Sequence, residues 1–394
     1  MRTLNDVSGL NGRRVLVRVD FNVPLDKAGN ITDDTRIRAA LPTLRELREA
    51  GAALILASHL GRPKGPDPSA SLAPVAVRLA ELLGTPVTLA PAVVGDEVTA
   101  LAEQLAPGAV LLLENVRFEP GETKNDAGLA AQMAALADVY VNDAFGAAHR
   151  AHASTVGAAE LIAERAAGRL LAREVETLSA LIEEPARPLV AILGGSKVSD
   201  KIKVIERFLD VADLILIGGA MAFPFLAAQG HSVGDSLCAG EDVELARKLL
   251  AMAGGKRADI VLPADLVVAE RFDAQATPET VDGVEVPDGR MGLDIGPKTA
   301  AEYARIVKAA GTVFWNGPMG AFELAPFAAG TRTVADALAE ATGSEVVTVV
   351  GGGDSAAAAK LFGLEDRMTH ISTGGGAALE LIEGRGLPGV EVLS

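Results

Sequence analysis

The chain has 394 residues, a formal net charge of −16 and 49% apolar side chains, which is length for two or three domains and enough apolar material for large cores. So acidic a balance excludes sequence-independent binding to nucleic acid, which needs a basic surface, but not a small anion held by a few well-placed arginines. Cys238 is the only cysteine, so neither an intrachain disulfide nor a CxxC metal clip exists, as suits a reducing cytoplasm. Residues 1–20 carry charges but no apolar h-region, so no secretory signal is expected. The longest apolar run, 214–228, is interrupted by Gly218, Gly219 and Pro224 and falls short of the ~18 residues of a spanning helix. A cytoplasmic location and no membrane partner are expected.

One pattern repeats along the chain. Short, β-branched apolar runs end in a polar or glycine residue, and a helix-like stretch follows. In the first half the runs are 15–19, 53–57, 110–113 and 139–141. In the second half they are 189–193, 214–217, 260–262, 312–315, 346–350 and 370–372. Near-continuous apolar strands alternating with helices predict parallel sheets covered on both faces. Two such series predict an α/β protein of two doubly wound, Rossmann-like domains. Between them, Leu171, Val175, Leu178 and Ile182 recur at helical spacing, and Pro185 and Pro188 then stop the pattern. The expected division is residues 1–168, a connecting hinge helix at 169–184, and residues 185–377.

Ligands of open parallel sheets sit beyond the carboxyl ends of the strands, and there the two halves differ. The first places Asp20-Phe21-Asn22, Arg36, Ser58-His59-Leu60-Gly61-Arg62, Asn115 with Arg117, and the run from Asn142 through Arg150 to His152 after its strands. Guanidinium forks match phosphate and carboxylate oxygens in pairs. A single such arginine is as well explained by a surface ion pair, but four after neighbouring strands predict a pocket for a compact polyanion. For the histidines, a satisfied structural role is the plain alternative.

The second half places glycines, lysines and a carboxylate there. Gly194-Gly195-Ser196-Lys197 leads through Lys201 into a helix, where bare amides bind phosphate. Lys197 and Lys201, four apart, are expected to share a helical face. Gly351-Gly352-Gly353-Asp354-Ser355 is a second glycine turn. Asp354 is placed there either to hold Mg²⁺ beside a nucleotide phosphate or as a simple N-cap. Between them lies Asn316-Gly317-Pro318-Met319-Gly320, with Glu323 free to meet a ribose or cap a turn. An anion pocket facing a nucleotide-phosphate site across a hinge suits phosphoryl transfer, in a phosphotransferase or a ligase.

Five segments then resemble one family. They are 18–24 (Arg-Val-Asp-Phe-Asn-Val-Pro), 58–63 (Ser-His-Leu-Gly-Arg-Pro), 194–201 (Gly-Gly-Ser-Lys-Val-Ser-Asp-Lys), 315–320 (Trp-Asn-Gly-Pro-Met-Gly) and 351–355 (Gly-Gly-Gly-Asp-Ser). In kind and order they are similar to those of the phosphoglycerate kinases, over essentially the whole chain. The resemblance implies the glycolytic exchange of a phosphoryl group between 1,3-bisphosphoglycerate and ADP. It implies 3-phosphoglycerate bound through Asp20, Phe21, Asn22, Arg36, His59, Leu60, Gly61, Arg62, Arg117 and Arg150. It implies ADP or ATP bound through Lys197, Lys201, Gly292, Asn316, Glu323, Val350, Gly351, Gly352, Gly353, Asp354 and Ser355, with Mg²⁺ on Asp354. Arg36 and Lys201 would flank the group in flight, and Gly194, Gly195, Gly374 and Gly375 would form phosphate turns. It also implies a monomer whose tail, residues 378–394, returns to the first domain. Ser196, Ala147 and Ala378 depart from the family pattern, where alanine, threonine or serine, and serine are expected.

Two rivals make different predictions. Residues 351–356 fit the G-x-G-x-x-A of dinucleotide-dependent oxidoreductases, but the next strand ends in Ser372-Thr373-Gly374 with no acidic residue for a ribose diol. A non-catalytic binding module would have lost Arg36, Lys201 or Asp354, and all three are present. No GxxxxGK[ST] P-loop occurs.

Overall fold

The apolar runs become parallel strands because both of their faces are buried. The computed structural model describes residues 1–394. Its first sheet comprises β1 (Arg14–Arg18), β2 (Ala53–Ala57), β3 (Val87–Leu89), β4 (Val110–Leu112), β5 (Val139–Asn142) and β6 (Glu164–Ala167), in the order β3-β4-β2-β1-β5-β6. All its pairings are parallel. On one face Val15, Val17, Leu54, Leu56, Val139 and Val141 pack on Ile37, Leu41 and Leu44 of helix Thr35–Glu49 and on Val75 and Leu79 of helix Ala73–Leu83. Each such side chain, fully buried, contributes about 1.5–3 kcal/mol. Register sets Arg18 abreast of Ala57 and Asn142, so the segments that follow all emerge at one edge.

The second unit adds β7 (Leu189–Leu193), β8 (Leu214–Ile217), β9 (Asp259–Val261), β10 (Leu266–Ala269), β11 (Glu279–Val281), β12 (Met291–Ile295), β13 (Thr312–Asn316), β14 (Val347–Val350) and β15 (His370–Ile371). Six of them form a parallel sheet, β15-β14-β13-β7-β8-β9, and the other three an antiparallel one, β11-β10-β12. In each parallel sheet the strand order reverses beside the first strand, between β1 and β5 and between β7 and β13. These are the switch points where α/β sheets hold ligands.

The chain passes from one unit to the other twice. Contacts divide it into Met1–Glu176 with Arg385–Ser394, and Thr177–Gly384. The first passage lies inside helix Arg169–Glu183. The returning segment is bound by three hydrogen bonds: the Arg2 amide to the Leu393 carbonyl (2.8 Å), the Gly389 amide to the Ala148 carbonyl (2.9 Å), and Asn142 Nδ2 to the Gly389 carbonyl (2.9 Å). It is shorter than the 378–394 expected, because helix Gly376–Ile382 buries Ala377, Ala378 and Ile382 within the second unit. No helix is long and apolar enough to cross a membrane.

β3, β6 and the antiparallel sheet have no counterpart among the apolar runs of the sequence. β3 lies at an edge with Thr88 exposed, and β6 reads Glu-Arg-Ala-Ala. Neither has the hydrophobic signature of a central strand.

Candidate active site

Asp20, immediately past β1, anchors the first cluster. Arg36, on the first turn of helix Thr35–Glu49, donates from Nη1 to both Asp20 oxygens (3.3 and 3.2 Å) and to the Asn22 carbonyl (3.2 Å). Asn22 Oδ1 accepts from the Gly61 amide (2.8 Å), and Arg117 donates to the Gly61 carbonyl. The Phe21 amide is taken by Ser58 Oγ and the Leu60 amide by Asn115 Oδ1. Phe21 and Leu60 are buried apolar residues that seat these turns. The cations crowd one another. Burial and then the Arg18 and Arg62 charges pull Arg117 below its ordinary value. His152 is brought down to about 4 by burial and the charges of Arg18, Arg117 and Arg150. His59 falls to about 3: burial dominates, Asp20 opposes, and Arg18, Arg117 and Arg36 add to the fall. Burial works against an ionised Asp20, whereas Arg36, Arg18 and the Asn22 amide, together with His59 when it is protonated, draw its carboxyl below the usual range. Arg62 and Arg150 are exposed. The structure thus gathers the predicted arginines around one edge and adds Arg18, which lies beneath them.

In the second unit, Lys201 Nζ donates to the carbonyls of Gly194 (2.6 Å) and Asn316 (2.9 Å). Burial lowers it to about 8 against the raising fields of Asp354 and Asp200. Gly317, at φ +98°, leaves the room: a Cβ there would meet Nζ at 2.7 Å. Two expectations change. Lys197 and Lys201 share no helical face, because the helix begins only at Ile202 with Lys201 as its N-cap, leaving Lys197 exposed in the loop before it. The Gly194 and Gly195 amides are not bare either, since they donate to the Asn316 and Pro318 carbonyls (3.0 and 3.2 Å). Amides without intrahelical acceptors are instead those of the first turn of helix Gly353–Leu361. Gly352 is that helix's N-cap, so Asp354 is no simple cap; it stands exposed in the first turn. Asn316 and Ser355 are spent inward: Asn316 Nδ2 donates to the Gly351 carbonyl (2.7 Å), and Ser355 Oγ accepts from the Gly317 amide (2.5 Å). Val350 is buried within β14. Gly374 and Gly375 follow β15, and Gly375 (φ +49°) caps helix Gly376–Ile382.

A cavity of about 440 Å³ opens beside these turns, lined by Gly195, Ser196, Gly292, Glu323 and Asp354 and by an apolar wall including Phe223, Leu237, Phe272 and Met319. Leu237 and Phe272 are 57% and 62% exposed, so this part of the wall is open to an apolar ligand face. Sequence reading missed this wall, since each of its members is locally an ordinary apolar residue. Of the family departures, Ser196 lines the cavity, whereas Ala147 and Ala378 are buried.

The family model for phosphoglycerate kinase matches residues 4–385. The chain belongs to the phosphoglycerate kinase family. It is 56% identical over 394 residues to the phosphoglycerate kinase of Anaeromyxobacter sp. (strain K), covering 99% of this chain and 98% of that one. It is 53% identical to the cytosolic phosphoglycerate kinase of Triticum aestivum, covering 98% and 96%. The structure of phosphoglycerate kinase from Coxiella burnetii superimposes with a TM-score of 0.88 at 42% identity, covering 98% of this chain and 96% of that one. A kinase of this family uses a nucleotide, and the cavity with the exposed Asp354 carboxylate suits one: Mg²⁺ takes one or two carboxylates and completes its shell with phosphate oxygens and water. No cluster of three or more His, Cys, Asp or Glu is present to cage a metal without the nucleotide.

Proposed function

We propose that the chain catalyses reversible transfer of a phosphoryl group between 1,3-bisphosphoglycerate and ADP, giving 3-phosphoglycerate and ATP. It acts as a phosphotransferase with a carboxyl acceptor, in glycolysis and its reverse. The observation that carries this reading is that a family match spanning residues 4–385 retains a cation for each substrate, Arg36 on Asp20 and Lys201 between two glycine turns.

The acid is held by Arg62, Arg117 and Arg150, with His59 and Asn22 as hydrogen-bonding partners, through forks that match its oxygens. The base of the nucleotide lies on the Leu237–Phe272 wall, and Glu323 accepts from the ribose. Lys197 and the first-turn amides at Gly353 meet the phosphates. Asp354 would hold Mg²⁺, which when bound neutralises phosphate charge. The attacking carboxylate is already ionised at neutral pH, so no strong general base is needed. Arg36 and Lys201 exchange their present carboxylate and carbonyl partners for the equatorial oxygens of the group in transfer. Water must be kept out, so we place the step in a closed state reached by hinge bending. We take the enzyme to act as a monomer, and the cytosolic wheat relative supports a cytoplasmic location. Purified protein is expected to consume MgATP only when 3-phosphoglycerate is present, measured by coupling the product to a dehydrogenase. Steady turnover without the acid overturns the assignment.

A further inference from the structure

Arg18 closes β1 and is 1% exposed, an uncommon position for a guanidinium. None of its hydrogen bonds goes to a carboxylate. Nε donates to Ser154 Oγ at 2.8 Å, Nη1 donates to the Val19 carbonyl, and Nη2 lies 3.2 Å from His59 Nδ1. Ser154 is in turn clamped on the 1%-exposed Glu122: its Oγ donates to Oε1 (2.6 Å) and its amide to Oε2 (2.9 Å). The guanidinium is therefore fixed from behind, through Glu122 and Ser154, and presents one N–H to the histidine.

A guanidinium has donors only and keeps its proton in proteins, so Nδ1 is the acceptor in this contact. The one competing partner for Nδ1 is Asp20 Oδ1, at 3.9 Å, which is too long for a hydrogen bond. Arg36 already engages that carboxylate. A proton on Nδ1 would set two N–H donors face to face, and a ring protonated on both nitrogens would add a second cation to a site 7% exposed, with Arg117 and Arg36 also acting against it and only Asp20 in favour. The remaining ring nitrogen, Nε2, must then carry the proton.

We propose that Arg18 is a positioning residue that fixes His59 as the neutral Nε2–H tautomer, so that His59 offers the bound acid one hydrogen-bond donor and no charge. The ligand half of this statement rests on the function proposed above; the tautomer half does not. Charge neutralisation then falls to the arginines alone, and acid affinity does not follow a histidine titration near neutrality.

Long-range ¹H–¹⁵N spectra of uniformly labelled, ligand-free protein test it directly. The expected pattern is an unprotonated Nδ1 and a protonated Nε2 on His59, unchanged between about pH 5.5 and 8.5. An imidazolium pattern at pH 7, or an Nδ1–H tautomer, overturns the proposal. In Arg18→Met the ring is expected to show mixed tautomers, with 3-phosphoglycerate affinity down about tenfold and nucleotide affinity unchanged. Arg18→Lys, which keeps a cationic donor, is expected to restore the tautomer. A folded Arg18→Met whose His59 stays purely Nε2–H refutes the role of Arg18, and if that variant does not fold, the wild-type spectrum alone decides. Failure of 3-phosphoglycerate to perturb a correctly tautomeric His59 refutes the ligand and leaves the Arg18–His59 pair standing.

Discussion

Lys201 is a cation held in a place that disfavours cations. With its proton leaving at about 8 in the ligand-free protein, kcat/KM for MgATP is expected to fall as pH rises through that value, because the neutral amine no longer stabilises phosphate charge. Lys201→Arg stays charged across this range, so its profile is expected to lose the alkaline limb. Lys201→Ala is expected to lower kcat by about 100-fold or more while circular dichroism is unchanged; an unaltered kcat removes Lys201 from the mechanism. Gly317→Ala tests the setting of the lysine, since its Cβ would lie 2.7 Å from Nζ and 2.3 Å from the Gly194 carbonyl. With its backbone at φ +98° and that Cβ against the Gly194 carbonyl, the variant is expected to lose stability in urea unfolding as well as kcat. The glycine turns were legible in the sequence because each follows an apolar run directly, and the arginines because each falls in the stretch between one run and the next. The burial of Arg18, and the capture of the Gly194 and Gly195 amides by Asn316 and Pro318, depend on residues far away in sequence and leave no local signal.

Helix Arg169–Glu183 illustrates the same limit one scale up. Its apolar spacing and the prolines after it made it readable, but its N-terminal cap did not. Gly168 has no side chain to offer, and Asp143, 27 residues before Leu170, supplies the acceptor instead: Oδ1 takes the amides of Leu170 (2.9 Å) and Leu171 (3.2 Å). Thr43 Oγ1 takes the amide of Arg169 (2.8 Å). A Cβ on Gly168 would sit 2.2 Å from that Asp143 oxygen. Asp143→Ala is expected to cost about 1–2 kcal/mol in urea unfolding, the range of a lost cap. Burial raises the Asp143 carboxyl from 3.8 to about 7. The folded protein therefore keeps a proton that the unfolded chain releases, and stability contributed by this group is lost as pH rises from about 4 through 7. Asp143→Asn, which keeps an acceptor oxygen and cannot ionise, is expected to flatten that slope. Strands such as β3 and β6 were illegible for a different reason: at three and four residues they are set by their neighbours' pairing more than by their own propensity.

For the molecule as a whole, the first unit is made from two separate stretches, Met1–Glu176 and Arg385–Ser394. The alternation of strands and helices made two doubly wound units legible, but which stretch belongs to which unit depends on contacts such as Asn142 with Gly389, which no periodicity reveals. Ending the chain at Gly384 removes the partners of Asn142 and Ala148 at the root of the turn that carries Arg150. Calorimetric titration is expected to find 3-phosphoglycerate affinity reduced about tenfold or more and nucleotide affinity nearly unchanged. Equal loss of both contradicts the division.

A ribosome makes this protein from the N-terminus, and residues 1–176 emerge long before their closing segment exists. Domains generally fold as units during synthesis, the earlier one first. Here the later-made unit has all its residues before the earlier-made one does, so the order of completion is the reverse of the order of translation.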